Sequence, residues 1–400
     1  MNMSPIEWLQ GGFTWNPITG CPWPKVSPGC ANCYAERVMN TRLRHVYASR
    51  AEYSSLEGEP FQAVWHHPER LLQPLQRQKP SRIFVCSMGD LFHDLVDDEW
   101  LAGVFTVMAL CPQHTFLLLT KRPERMRSWI LDEQASAGAM LFNALHDICV
   151  RAGLDPDKAN AGISWPLPNV WIGVTVCNQE EANRKIPVLL QTPAAKRFVS
   201  VEPMLGPVDV RLAYPQDYMH CTLCGWHGYN DELVRKPAGI YEEEYCPVCQ
   251  NDGTFALDYP HEDSELALGG LDWVICGGET GKNARPINPD WVRSLRNQCK
   301  SSRCQPTPFF FKSWGEYVTI EGIGDNGSWS DIPLRLRSSG IDVKHLLKKN
   351  GSLKNGTKGW YDIFPGSRLT GQACPVGKRL SGRLLDGEEW NEVPEVRHAT

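Results

Sequence analysis

Cys21, Cys30 and Cys33 are the first residues of this chain whose type and spacing can do chemistry. They lie in a loop rich in Pro and Gly, before a helix expected to begin near Tyr34. Thiolates bind soft metals, and a loop can wrap a metal group where a straight helix cannot. Three cysteines are one short of the four that hold an ordinary [4Fe–4S] cluster or a structural zinc. One metal position is then left open, and an open iron can chelate a substrate or cofactor. The same residues also suit a zinc site completed by a fourth ligand such as His45, or three unrelated thiols.

A second cysteine set follows far downstream. Cys221 with Cys224 and Cys246 with Cys249 form two CxxC knuckles separated by 21 residues. Each knuckle offers two thiolates to a tetrahedral Zn2+, and the spacer is long enough for a hairpin, so a closed zinc-ribbon site is expected. A second iron–sulfur cluster and a redox dithiol pair are the competing uses of the same four residues.

The elements that must position these groups alternate. Short apolar runs predict buried parallel strands at Phe13–Asn16, Arg82–Ser87, Thr115–Leu119, Val170–Val176, Arg197–Val201, Trp273–Cys276 and Pro308–Phe311. Helical patterns separate several of them, at Asp97–Leu110, Glu124–Ile130, Gln179–Leu190 and Pro289–Cys299, with Asp97 as a cap and Pro289 in a first turn. Alternating β and α segments favour an α/β fold with a parallel sheet, wound either as a barrel or as an open sheet. Chemistry in such folds sits beyond the carboxyl ends of the strands. The runs here exit into Ser87 to Asp90, Thr120-Lys121-Arg122, Thr175 with Asn178, Ser200 with Glu202, Gly277-Gly278-Glu279, and Lys312 with Trp314. Each of these residues alone can equally be a helix cap or an ion-paired brace, and Asp90 and Glu202 can brace the rim through Arg122 or Lys312.

Composition narrows the class without naming an activity. With 42% hydrophobic and 22% charged residues over 400 positions, the chain can bury one large core plus an appendage. A net charge of −5 argues against a protein coated in basic residues. The start MNMSPIEWLQ lacks a basic segment followed by an apolar one, and the apolar runs are too short to span a bilayer, so a cytoplasmic protein with no membrane association is expected. In a reducing compartment, seven of the 15 cysteines at ligand spacing point to metal rather than to disulfides. The other eight are read as small buried hydrophobes.

Eight ordered motifs carry a resemblance. They are Thr14-Trp15-Asn16-Pro17; Ser27 to Cys30 with Asn32 to Glu36; Ser87 to Phe92; Leu119 to Pro123; Gly173 to Val176; Ser200 to Pro207; Gly277-Gly278-Glu279; and Phe310-Phe311-Lys312 with Trp314-Gly315. In these the chain resembles the phage-associated radical S-adenosylmethionine-like proteins, over nearly its whole length apart from 214–268. The resemblance implies a partial (β/α) TIM-like barrel of the radical SAM type over 1–213 and 269–320, interrupted by a zinc-ribbon insertion at 214–268 and followed by a loop-rich C-terminal extension at 321–400. It implies a [4Fe–4S] cluster on Cys21, Cys30 and Cys33, S-adenosylmethionine on the open iron, and an electron donor such as flavodoxin or ferredoxin. One departure stands out: eight residues separate Cys21 from Cys30, a longer gap than the commonest radical pattern has. Asn32 also stands where many such enzymes place an aromatic against adenine, leaving Tyr34 or Trp23 to substitute.

By the same resemblance Asp90 would accept the methionine amino group and Lys121 or Arg122 would pair with its carboxylate. Thr175 and Asn178 would bond the ribose, Glu202 would face cofactor or substrate, and Glu279, Arg285 and Lys312 would stand on the substrate side. Residues 331–383 hold eleven Lys or Arg against three Asp, with Trp360, Tyr361 and Phe364 interleaved. Basic side chains with stacking aromatics suit a nucleic acid, although a solvated tail has the same composition, and the acidic end around Glu388, Glu389 and Glu392 can pair with it. The expected activity is therefore modification or isomerisation of a nucleobase of phage DNA by a 5′-deoxyadenosyl radical. The alternative from another class is a non-catalytic zinc protein that binds nucleic acid or a partner on a barrel scaffold.

Overall fold

The computed structural model describes residues 1–48, 59–136, 138–160, 163–211, 270–301, 306–321 and 378–395, together with short strands between 218 and 257 and between 358 and 375. Eight strands form one sheet in chain order: β1 (Asn2–Met3), β2 (Phe13–Trp15), β3 (Arg82–Val85), β4 (Thr115–Thr120), β5 (Val170–Thr175), β6 (Lys196–Val201), β7 (Trp273–Gly277) and β8 (Phe309–Ser313). β1 is antiparallel to β2, and every later neighbouring pair is parallel. All seven expected strands are present. Among the described residues β1 and β8 do not pair, so the sheet is open.

Helices occupy the connections: α1 (Tyr34–Asn40), α2 (Asp98–Ala109), α3 (Pro123–Ala135), α4 (Ala139–Ala152), α5 (Gln179–Leu190) and α6 (Pro289–Lys300). α3 and α6 begin with Pro in the first turn, and Asn178 and Asn288 cap α5 and α6 through their side chains. Asp97 holds the cap position of α2 without making a side-chain cap bond. α4 was not among the expected helices. It follows Gly138 with no side-chain cap, so only the spacing of buried Leu141, Leu145, Ile148 and Cys149 marks it.

Side-chain alternation splits the sheet into two faces. Phe116, Leu118, Ile172, Val174, Val199, Val201, Val274 and Phe311 join the large core with helix residues such as Leu101, Phe105, Ile186 and Leu295. The opposite face carries Leu117, Trp171, Phe198, Trp273 and Phe310, all packed around Trp8 from the short 3-10 turn Glu7–Leu9, with Phe84 against them. Trp8 touches Phe84 of β3 at 5.0 Å and Trp273 of β7 at 6.1 Å between ring centroids. Those contacts bound the Phe84 to Trp273 separation at about 11 Å, whereas four strand spacings in a flat sheet would be about 19 Å. The sheet therefore curls strongly around Trp8. Gly173 of β5 makes room on this concave face, since a Cβ there would sit 2.6 Å from the Phe198 ring.

The end of the chain belongs to this body. Asn391 bridges to Phe310, the Phe311 amide donates to the Trp390 carbonyl at 2.9 Å, and Leu385 is fully buried in the large core. Glu392 pairs with Lys300 and accepts the Phe309 amide at 2.9 Å. The acidic end thus covers the open edge of β8, a template for unwanted pairing if left bare. The described partner of Glu392 is the end of α6 rather than the basic segment. In the insertion, Tyr218–Cys221, His227–Tyr229 and Phe255–Leu257 form one antiparallel sheet, and Val234–Ala238 pairs with Tyr241–Tyr245 in a hairpin. The hairpin lies in the spacer between the knuckles, which is long enough to hold one.

Candidate functional site

The concave face continues two residues beyond its aromatic floor. Leu119 is followed by Lys121, Gly173 by Thr175, Phe198 by Ser200 and Glu202, and Phe310 by Lys312. These residues line a cavity of about 920 Å³ at the carboxyl ends of the strands, with Cys21, Cys30 and Cys33 in its wall. All three thiols are free and partly exposed.

Three sets of contacts shape the cysteine loop. At its start, the Gly20 amide donates to the Met88 carbonyl at 2.9 Å, and Asn16 Oδ1 accepts the Met88 amide and the Ser87 hydroxyl at 2.9 and 3.2 Å. At its centre, Ser27 caps the 3-10 turn Pro28–Asn32 that carries Cys30, and its hydroxyl donates to Glu181 Oε2 at 3.1 Å. The same Glu181 oxygen accepts the Cys177 amide at 2.8 Å, while Oε1 meets the buried Lys185 ammonium at 2.6 Å. At its far side, Arg285 donates to the Pro28 carbonyl at 3.1 Å and Asn32 to the Asn283 carbonyl at 2.9 Å.

The candidate residues divide by what their polar atoms already do. Asp90 is buried and accepts from the Thr120 hydroxyl at 2.7 Å and from the Phe92 and Lys121 amides at 3.1 and 3.0 Å, with Arg122 at 3.6 Å. Three of its acceptor positions are taken by protein donors, which ties it to the rim between β3 and β4. Glu202 likewise accepts the Ser200 hydroxyl at 3.1 Å and pairs with Lys312 at 3.1 Å. Glu279 is gripped by Arg285 through a fork of 2.8 and 2.5 Å and through the Arg285 amide. Asn178 is spent as the cap of α5, donated to by the Glu181 amide at 3.0 Å. Gly277 and Gly278 do permit close approach, but of protein groups. A Cβ on Gly277 would meet Glu202 Oε1 at 2.5 Å, and one on Gly278 the Trp314 carbonyl oxygen at 2.1 Å. Thr175 and Lys121 have no described side-chain bond and line the cavity.

Charge follows this layout. Burial opposes the charge of Lys121, but the thiols of Cys30, Cys33 and Cys177 and the Asp90 carboxylate together raise its pKa. Burial also opposes the charge of Lys312, and Glu202 and Glu7 outweigh it in the same direction. Burial, with Asp90, pushes the Cys21 thiol up to about 12, against the pull of Arg122, whose guanidinium donates to the sulfur at 3.6 Å. Burial tends to raise the Glu279 carboxyl, yet the Arg285 fork holds it below the ordinary value.

These observations bear on what the three thiols can hold. Among the described residues no three Cys, His, Asp or Glu converge on a point that suits one metal ion, so His45 is not brought to the cysteines as a fourth zinc ligand. A cluster distributes its cysteines over different irons and does not need them to converge, and a thiolate-ligated cluster is anionic. Three free thiols on one cavity wall, with Lys121 and Arg122 beside them, fit that donor set. In the insertion, Cys221 ends a strand, while its thiol and Cys224, Cys246 and Cys249 lie outside the described residues. So do Trp360, Tyr361, Phe364 and most of the basic segment.

Glu181, Lys185 and Cys177 were not singled out in the sequence as site residues, and Ser27 entered only as part of a motif. Asn178 and Glu181 at the first turn of α5 form the Asn-x-x-Glu signature of a capping box, and that signal was readable. Here the Glu181 carboxylate leaves the box and bonds Cys177 and Ser27 instead.

A family model described as protein of unknown function (DUF5131) matches residues 3–394. The chain belongs to this family. No curated protein and no solved structure matches it. The DUF5131 match spans the sheet, the cysteine loop and the C-terminal return to β8 alike. Among the described residues, no helix is long and apolar enough to cross a membrane.

Proposed function

We propose that this protein is a radical S-adenosylmethionine-type enzyme, with a [4Fe–4S] cluster on Cys21, Cys30 and Cys33, acting on a nucleobase such as one in phage DNA. The observation that carries the reading is the set of three free thiols in one cavity wall, beside Lys121 and Arg122, at the carboxyl ends of a parallel sheet. Strand order that follows chain order without reversal, with strong curl around Trp8, favours a partial (β/α) barrel as the scaffold. When bound, such a cluster supplies the electron that cleaves the sulfonium of S-adenosylmethionine to give a 5′-deoxyadenosyl radical.

The chain's own residues then divide the work. Lys121, raised in pKa and unpaired among the described side chains, is suited to hold the methionine carboxylate. Thr175, whose hydroxyl has no partner among the described residues, is suited to bond the ribose. Asp90 and Arg122 fix the rim between β4 and the cysteine loop. Glu202 and Lys312, paired across the end of the concave face, are suited to orient the substrate and exchange a proton with it. The Trp8 and Trp273 floor keeps water from below the cavity. A Zn2+ ion on Cys221, Cys224, Cys246 and Cys249, a cytoplasmic setting and a flavodoxin or ferredoxin as electron donor complete the reading.

Anaerobic reconstitution followed by iron, sulfide and zinc analysis tests it. The expectation is about four irons and one zinc per chain. Cys30→Ala should lose iron and keep zinc, Cys221→Ala should do the reverse, and reduced protein should release 5′-deoxyadenosine from S-adenosylmethionine. Zinc at both cysteine sets under strict exclusion of oxygen would overturn the reading.

A further inference from the structure

The cavity has a charge that the chain as a whole lacks. Seven Lys or Arg and four Asp or Glu line it, an excess of three positive charges in a chain whose net charge is −5. All four lining carboxylates are already engaged: Glu36 with Lys25, Asp90 with Arg122, Glu202 with Lys312 and Glu279 with Arg285. Five of the seven lining cations have an acidic partner, and only Lys121 within the cavity and the exposed Arg42 at its edge have none among the described residues. The site as built thus calls for an anion.

Its mouth also shows bare aromatic surface. Trp23 is 65% exposed and Tyr34 56% exposed, although both line the cavity, and the Lys25 ammonium lies 5.0 Å from the centre of the Trp23 ring. Two exposed rings at the mouth of one cavity, with Lys25 held by Glu36 at 3.4 Å and Arg42 without an acidic partner among the described residues, offer a surface on which a flat ring flanked by negative charge can stack. We infer that this mouth docks one unpaired nucleobase of a single strand, stacked on Trp23, with its flanking phosphates on Lys25 and Arg42. A base in a duplex has both faces covered and cannot enter a concave site, so the strand must be open or the base flipped. An acidic protein could meet the same cations, but its surface would cap the rim without using the depth behind it. The inference rests on reading the cavity as the reaction chamber, and it assigns strand capture to the described rim rather than to the basic segment at 331–383.

The test is fluorescence polarisation of a labelled oligothymidylate of about twelve nucleotides, within the length one such site engages. It is run on as-purified and on reconstituted protein, with iron measured in each variant. Trp23→Ala should weaken binding about tenfold and leave the salt slope unchanged, and Trp23→Phe should recover most of the loss. Lys25→Ala with Arg42→Ala should lower the slope of log K against log salt by about 1.4, two phosphates at the single-strand coefficient. Unlabelled duplex of the same length should compete poorly. Wild-type affinity in the Trp23→Ala and double variants, or equal competition by duplex, overturns the inference. Should the variants behave as expected in protein that never binds iron, the docking site stands and the radical reading falls.

Discussion

Glu181→Ala should be the most damaging single change outside the cysteines. Lys185 is fully buried, held by Glu181 at 2.6 Å and donating to the Thr175 carbonyl at 3.0 Å. Burial keeps its pKa below the ordinary lysine value, and Glu181 is the main group pulling it back up. Removing one partner of a buried pair strands the other charge, at a cost of about 3–5 kcal/mol. For a body of this size that is on the order of 10 °C in Tm. The sign with pH follows from linkage. A lysine with a depressed folded pKa binds fewer protons folded than unfolded between that pKa and the unfolded value near 10.4, so stability rises with pH across that window. The Glu181→Ala deficit should therefore be greatest at neutral pH and shrink as the pH approaches about 10. Circular-dichroism melting at both pH values, with Glu181→Ala, Lys185→Met as the second variant, reads this directly. The double variant should recover most of the lost Tm because no orphan cation remains. It should not recover iron binding, since Ser27 and the Cys177 amide still lack their acceptor. A double variant no more stable than the single one, or a deficit that grows with pH, would refute the reasoning.

Two further outcomes test the frame. Gly173→Ala places a methyl 2.6 Å from the Phe198 ring on the curled face, so it should cost about 1–3 kcal/mol in urea unfolding, and adding Phe198→Leu should return part of it. Asp90→Asn replaces an acceptor oxygen that serves the Thr120 hydroxyl or the Lys121 amide with a donor, so it should lower Tm. Weakened S-adenosylmethionine binding at unchanged Tm in that variant would assign Asp90 to the cofactor instead of the rim.

Much of the framework was legible because parallel strands buried on both faces read as short apolar runs. Val170 to Val176 and Trp273 to Cys276 are examples, and both stand where expected. The two-residue strand β1 and the Trp8 turn were not, since Asn2-Met3 carries no alternation and a lone Trp says nothing about which strands it will touch. The site was legible as a set of positions at strand exits, but the protein partners of those residues were not. Asp90, Glu202, Glu279 and Asn178 all reach the cavity end of the sheet, yet each spends its oxygens on protein donors. Sequence spacing locates a carboxylate, whereas its free lone pairs depend on neighbours from other strands. Cys177 was read as a buried small hydrophobe, and buried it is, but its sulfur lies 3.5 Å from the Ser27 hydroxyl that shapes the cysteine loop.

The contacts on residues 20–33 also say in what order this site can be assembled. Gly20 is held by the exit of β3, Pro24 by Arg122 after β4, Ser27 by Glu181 after β5, and Pro28 by Arg285 after β7. Four strand ends far apart in sequence must already be neighbours before the loop has its shape. Each contact alone is a single hydrogen bond, a net gain of about 1 kcal/mol, too little to order a loop of this length against its chain entropy. Together they act only on the finished sheet. A metal group on Cys21, Cys30 and Cys33 would thus enter a loop that the sheet has shaped, whereas two CxxC knuckles joined by a hairpin can gather a metal from within their own segment. On the proposed function the chain would use cysteine in two ways: one set would depend on the sheet to bring it together, and the other would need only its own spacing.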